Sequence, residues 1–129
     1  MSPPYRHEVR IRYGEVDVQG HVFNSHYLAY VDDALEQWLR SLFGGEDYTG
    51  QLDLVVKKAE LTWSSGARNG EVLAIDIATT RIGRSSIEMR FAGSVGERPI
   101  FEAVMTYVSI TPGTVTPTPV PDHLRALLS

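Results

Sequence analysis

The stretch YGEVDVQGHVFNSHYLAY, residues 13–30, marks the point where the chain changes from one secondary structure to another. Before it, apolar and charged residues alternate over residues 5–13, which is typical of a half-buried β-strand. After it, apolar residues recur every three or four positions over residues 24–43, which is the pattern of an amphipathic helix. A loop containing Asp17 and Gly20 separates the two patterns. The sequence therefore predicts a strand, a loop and a long helix, in that order.

Residues that typically begin and end a helix lie at both ends of the predicted helix. Asn24 or Ser25 is a suitable residue to cap its first turn, and Gly44 and Gly45 are expected to end it. Its apolar face is too wide for a helix that lies exposed on a surface. Other elements of the chain must therefore cover this face.

Four later segments have the composition of β-strands, and short polar breaks separate them. They are residues 52–64, 71–82, 86–95 and 100–110. Consecutive strands joined by short turns are most simply an antiparallel meander. With the first strand they predict an α+β fold, in which a five-stranded antiparallel sheet wraps around one long central helix.

The length of 129 residues predicts a single domain, residues 1–129, with a core over about residues 5–110. Residues 111–129 are expected to form a proline-rich C-terminal tail, whose residues 122–128 form a short final helix. The sheet would keep free edges, so pairing of edge strands predicts a homodimer or a homotetramer.

Composition excludes several classes of function. The net charge of −4 does not indicate a nucleic-acid surface, and no stretch approaches the ~20 apolar residues of a membrane span. The first residues lack the apolar run of a secretory signal, so a cytoplasmic location is expected. No cysteine is present, and the four histidines lack the spacing of metal ligands, so neither a thiolate nucleophile nor a metal site is predicted.

The loop places a carboxylate close to the start of a helix. The first N–H groups of a helix have no partner within the helix and can bind a polarised carbonyl oxygen. Asp17 beside the helix start at Asn24 therefore predicts a site for hydrolysing an activated acyl compound. On spacing alone, Asp17 also suits a turn in which its side chain accepts a backbone N–H, and Asn24 suits a plain helix cap.

This region resembles the hot-dog fold acyl-CoA thioesterases, and more narrowly the 4-hydroxybenzoyl-CoA thioesterase type. The resemblance rests on Arg12-Tyr13, on residues 15–24 (EVDVQGHVFN), on Tyr27 and Tyr30 in the helix, and on the order of strands over residues 5–110. It implies hydrolysis of an acyl-CoA or acyl-carrier-protein thioester to a free acid and a thiol, without a cofactor.

The resemblance also implies roles for individual residues. Asp17 falls on the catalytic acid, as nucleophile or general base, and the backbone N–H of Asn24 falls on the oxyanion site. From the residues themselves, Gly20 forms a turn and allows a close approach of the loop to the substrate. His21 orients Asp17, lines the pocket or satisfies backbone groups in the loop. Two parts of the chain are expected to bind the substrate. Tyr27 is expected to line the pocket. A glycine turn is suited to the phosphates of coenzyme A and contains Arg81, Gly83, Arg84 and Ser85.

Two alternatives use the same pocket. A hot-dog enoyl-CoA hydratase or dehydratase needs a histidine beside the acid, and His21 is the candidate for that role. A non-catalytic acyl-binding module would bind the ligand without turnover. The sequence specifies neither the acyl group nor the choice between coenzyme A and a carrier protein.

Overall fold

A computed structural model describes residues 5–45, 47–48 and 50–129. In chain order the elements are β1 (Tyr5–Arg10), a 3-10 helix (Tyr13–Glu15), α1 (Asn24–Leu42), β2 (Asp53–Trp63), β3 (Val72–Ile82), β4 (Ser86–Val95), β5 (Arg98–Ile110) and α2 (Asp122–Leu128). The strands form one antiparallel sheet in the order β1-β3-β4-β5-β2. The predicted α+β hot-dog architecture is confirmed.

The core lies between α1 and one face of the sheet. Side chains alternate along a strand, so every second residue of β3, β4 and β5 points toward the helix and is buried. The helix contributes its apolar stripe to the same core. The buried helix residues are Tyr27, Tyr30, Val31, Ala34, Leu35, Trp38 and Leu39.

The predicted meander is wrong at one connection. β2 pairs with β5 and lies at the edge of the sheet, whereas β3 lies between β1 and β4. Residues 64–71 connect β2 to β3, so instead of forming a tight turn they cross the end of the sheet past β5 and β4. Ser64 donates its N–H to Ile100 O on β5, and Ala67 is fully buried against the loop that precedes α1. The crossing buries Ala67 against that loop, whereas Ser64 and residues 68–70 stay exposed.

The predicted cap of α1 is also wrong by one residue. Phe23 occupies the N-cap position with extended backbone angles, and no side chain caps the helix, so Asn24 is its first helical residue. Phe23 is held extended because its N–H donates to Glu15 O at 3.0 Å. The other end agrees with the prediction, since Gly44 and Gly45 have positive φ and Gly45 donates its N–H to Arg40 O.

The two ends of the sheet carry different parts of the chain. The Asp17 end holds the loop before α1, residues 64–71 and the turn between β4 and β5. The Gly83 end holds the turn between β3 and β4, residues 111–121 and α2. The 11 residues of β3 separate the two ends, which corresponds to about 33 Å of extended chain.

The short final helix is confirmed as α2, and it packs onto the core through the buried residues Leu124 and Leu128. Residues 111–121 form neither helix nor strand, apart from a bridge between Ile110 and Pro117. Among the described residues, no helix is both long enough and apolar enough to cross a membrane.

Candidate active site

Residues 15–23 form a tight hairpin that leads into α1. Val16 and Val22 form an antiparallel bridge, and Asp17 donates its N–H to His21 O at 2.8 Å. Gly20 closes the turn by donating its N–H to Asp17 O, and its φ of 80° is one that residues with a Cβ rarely adopt. This register places Asp17 opposite His21, only a few residues before the helix begins.

The Asp17 side chain is exposed and only partly engaged. One carboxylate oxygen, Oδ1, accepts the N–H of Gln19 at 2.8 Å, which is the turn bond that aspartate favours before glycine. No donor among the described residues reaches Oδ2. The structure therefore shows the simple turn-forming role of Asp17, and it also leaves one oxygen free to contact a ligand.

The start of α1 presents unpaired donors beside this carboxylate. No acceptor among the described residues takes the N–H of Asn24 or Ser25, because the cap residue Phe23 has no side-chain oxygen. Such N–H groups carry the partial positive charge of the helix N-terminus. The missing side-chain cap thus leaves the donors free to polarise a bound carbonyl oxygen.

The crossing segment, residues 64–71, packs against this hairpin and forms hydrogen bonds with it. Val22 donates its N–H to Ala67 O at 2.9 Å, and His21 forms a bridge with Arg68. The buried hydroxyl of Tyr27 accepts the N–H of Ala67 at 3.1 Å. Tyr27 thereby joins α1 to the segment on which the hairpin rests.

The His21 ring packs on this segment. A Cβ at Gly66 would lie 2.8 Å from Cγ of His21, so the ring can approach this closely only because residue 66 is a glycine. No hydrogen bond joins the ring to Asp17 or to another residue of the described chain. In this structure the ring does not orient the carboxylate.

Glu71 fixes the end of the crossing segment next to β3. Both of its carboxylate oxygens accept from Nη2 of Arg98, at 2.7 and 2.8 Å, and one of them also accepts the N–H of Arg68. Its backbone oxygen accepts the N–H of Ile11. One residue thus ties together β5, the crossing segment and the end of β1.

The 3-10 helix is anchored by Glu15, which accepts the N–H of Arg12 at 2.8 Å and its guanidinium at 3.2 Å. Desolvation alone would raise the pKa of Glu15, but the hydrogen bonds from Arg12 outweigh it and hold the pKa below its ordinary value. Burial raises the pKa of Tyr27 and of Tyr30 above the ordinary value of a phenol.

An apolar surface adjoins the helix start. Trp63 ends β2 with 45% of its area exposed, and its ring centroid lies 5.9 Å from that of Tyr27. Phe23 and Leu28 on the helix side are exposed as well. Trp63 was not predicted as a site residue, since its place beside Tyr27 depends on the pairing of β2 with β5. A large aromatic residue just before the Ser64-Ser65-Gly66 turn was the signal available.

The predicted site residues fall into two groups. Asp17, Gly20, His21, Asn24 and Tyr27 lie together at the Asp17 end. The predicted phosphate-binding residues lie at the Gly83 end of the same chain, about 33 Å away along β3. They are Arg81, Gly83, Arg84 and Ser85. Within one chain, the structure does not bring the two groups together.

The fold is similar to that of several solved thioesterases. A thioesterase from Thermus thermophilus, crystallised with coenzyme A and zinc, is 23% identical over 98% of this chain and 93% of that chain, with a TM-score of 0.82. A thioesterase superfamily protein from Jannaschia sp. CCS1 is 24% identical over 96% and 90%, with a TM-score of 0.88. A 1,4-dihydroxy-2-naphthoyl-CoA thioesterase from Synechocystis is 19% identical over 96% and 94%, with a TM-score of 0.82.

At these identities the similarity establishes the fold alone. No curated protein matches the chain by sequence. A family model, in contrast, covers nearly all of it: the model of the thioesterase-like superfamily matches residues 11–128. The hairpin, the helix α1, the strands β2 to β5 and the C-terminal helix all lie inside the matched range, which begins just after β1. The chain belongs to the thioesterase-like superfamily.

Proposed function

We propose that this protein hydrolyses an acyl-CoA thioester to a free acid and coenzyme A, with its active site at the Asp17 end. The observation that carries the proposal is the free carboxylate oxygen of Asp17 beside a helix start whose N–H groups are unpaired. Membership of the thioesterase-like superfamily supports the reaction class. Within the superfamily, the pattern from Asp17 to Asn24 favours the 4-hydroxybenzoyl-CoA type.

The chemistry needs few groups. The thioester oxygen binds at the N–H of Asn24, which stabilises the negative charge that develops on that oxygen in the transition state. Asp17 either attacks the carbonyl carbon and expels the thiolate to give a mixed anhydride, which water then hydrolyses to the free acid and the Asp17 carboxylate, or takes a proton from a water that attacks the thioester. The thiolate leaves readily in both routes, so no general acid is required. The apolar surface formed by Phe23, Leu28 and Trp63 suits the acyl group.

A second copy of the chain completes the proposed site. β2 is an edge strand that exposes Val55 and Val56, at 41% and 51% of their areas, so it is suited to pair with β2 of another copy. A two-fold axis makes that pairing antiparallel. The Gly83 end of the partner would then lie at the same end of the joint sheet as Asp17. The exposed Arg81 and Arg84 there suit the phosphates of coenzyme A.

The alternatives keep the pocket but change the outcome. A hydratase or dehydratase would use His21 for proton transfer, yet its ring has no hydrogen bond to Asp17 in the described chain. A carrier-protein thioester would be recognised by a larger surface than the turn at Gly83. An acyl-binding module would make no use of the unpaired oxygen of Asp17.

The test follows thiol release from aryl-CoA and fatty-acyl-CoA substrates and from the same acyl groups on a carrier protein. We expect Asp17→Asn to reduce kcat by about a hundredfold or more, in line with general base or nucleophilic roles. Asp33→Asn is the matched control, because Asp33 is an exposed aspartate that contacts His7 on another face of α1. Equal activity of wild type and Asp17→Asn on every substrate would overturn the proposal.

A further inference from the structure

The turn between β3 and β4, residues 83–86, is held by the C-terminal part of the chain rather than by the sheet alone. Nη2 of Arg125 in α2 donates to Gly83 O at 2.9 Å and to Arg84 O at 3.3 Å. Val120 donates its N–H to Arg84 O at 2.8 Å. Three donor contacts from the C-terminal segment, residues 111–129, therefore converge on two consecutive carbonyl groups.

The same turn is fixed on its other side by the sheet. Ser109 at the end of β5 donates its N–H to Ser85 O at 2.7 Å, and Gly83 donates its own N–H to Ser86 O. The carbonyls of Gly83, Arg84 and Ser85 are thus all occupied by neighbouring donors. The N–H groups of Arg84 and Ser85 find no acceptor among the described residues. Successive unpaired N–H groups at a turn can bind an anion.

Two recesses flank the turn, and the C-terminal segment forms a wall of each. One has a volume of about 300 Å³ and is lined by Arg84, Ser85, Pro117, Thr118 and Pro119. The other has a volume of about 350 Å³ and is lined by Thr79, Thr80, Arg81, Ile82, Arg125 and Ser129. Neither Arg81 nor Arg84 has an ion-pair partner in the described chain. Positive charge and free N–H groups therefore meet at one turn.

We infer that the C-terminal segment is a clamp that keeps this turn in its anion-binding conformation, and that Arg125 is the positioning residue of the clamp. The inference rests on the proposed function, since the anion it assigns to the turn is the phosphate of a coenzyme A thioester. Arg125 acts on the carbonyls of the turn, whereas Arg81, Arg84 and the two free N–H groups face the ligand. The clamp thereby determines affinity for the nucleotide portion of the substrate, at a distance from the reacting carbon.

The experiment compares one acyl group on coenzyme A and on pantetheine, which lacks the nucleotide and its phosphates. For Arg125→Gln we expect KM for the acyl-CoA to rise about tenfold, in keeping with lost charge-assisted contacts, while kcat for it changes less than about twofold. Hydrolysis of the pantetheine thioester should be unchanged, and Arg125→Lys should recover part of the affinity. Arg6→Gln is the control, because it removes an exposed arginine from an ion pair with Asp76 at the distant β1 edge.

A second measurement uses the free protein. Amide hydrogen exchange of Gly83 and Val120, whose N–H groups bond to carbonyls of the turn, should be faster in Arg125→Gln than in wild type and unchanged in Arg6→Gln, because only the first variant releases the turn. The inference is overturned if the two thioesters lose activity in parallel, if KM for the acyl-CoA is unchanged, or if exchange at the turn is unchanged. If wild type hydrolyses neither thioester, the proposed function fails. In that case, the affinity for free coenzyme A is measured by calorimetry. The clamp requires Arg125→Gln to bind coenzyme A more weakly than wild type, and equal affinities would overturn it.

Discussion

Tyr27 carries a polar contact that links helix and active-site loop, although it lies in an apolar stripe. Its hydroxyl is buried and accepts the N–H of Ala67, which is itself fully buried. Ala67 in turn accepts the N–H of Val22, at the foot of the hairpin that carries Asp17. The Tyr27 hydroxyl therefore links the core, through Ala67, to the hairpin that carries the Asp17 carboxylate.

We predict that Tyr27→Phe lowers the free energy of unfolding by about 1–3 kcal/mol, because it leaves the N–H of Ala67 buried without an acceptor. Tyr107→Phe is the matched control, since that buried hydroxyl has no hydrogen-bond partner among the described residues. Urea denaturation of both variants gives the comparison. Equal losses of stability in the two variants would mean that the Tyr27 hydroxyl does not support the crossing segment.

The 3-10 helix before Asp17 depends on one ionised side chain, Glu15. Its pKa in the folded protein lies below the ordinary value of 4.5, so folding favours the charged form. The stabilisation is complete above about pH 4.5 and is lost as the pH falls through the lower pKa of the folded state. The helix that opens the hairpin should therefore weaken in acid.

Glu15→Gln is expected to unfold at a lower urea concentration than wild type at pH 7, and the two midpoints should converge toward pH 3. Glu97→Gln, a change at an exposed turn residue, should show no such convergence because its midpoint matches wild type at both values. A difference between Glu15→Gln and wild type that stays constant from pH 7 to pH 3 would contradict the role of the charge.

The elements themselves were predictable to different degrees. The periodicity of α1 and its glycine stop are local properties of the sequence, so both were correctly predicted. The N-cap was predicted at Asn24 or Ser25 and lies at Phe23, because a hydrogen bond to Glu15 fixes that residue outside the helix. Capping preferences describe only the residues at the helix end, so they do not predict a cap position that is set by this backbone hydrogen bond.

The position of β2 at the edge of the sheet could not be predicted from local sequence either, because it depends on contacts between residues far apart in the chain. β2 pairs with β5, and the segment that follows it, residues 64–71, contacts the hairpin more than 40 residues earlier in the chain. The residues of the candidate site likewise include some that local sequence identifies and some that it does not. Asp17, Gly20 and Asn24 fall within one short segment and were visible there, whereas Trp63 and Ala67 reach the site only through the sheet topology.

Because the length of the sheet separates Asp17 from the Gly83 turn, the proposed active site needs the turn of a second chain. If each site combines Asp17 of one chain with the turn of its partner, two variants with different defects can restore acyl-CoA hydrolysis when they share a dimer. One variant is Asp17→Asn. The other is Arg81→Ala/Arg84→Ala, which should have normal kcat on the pantetheine thioester but a raised KM for the acyl-CoA.

Refolding an equal mixture of the two variants should yield heterodimers in about half of the molecules, each with one intact site and one doubly defective site. Activity at low acyl-CoA concentration should then reach about a quarter of the wild-type value, well above the average of the separately refolded variants. Analytical ultracentrifugation of the same samples reports whether the chains assemble as dimers or tetramers. Activity equal to the average of the two parents would place both halves of the site in one chain, and the pairing of edge strands would then have no part in binding the substrate.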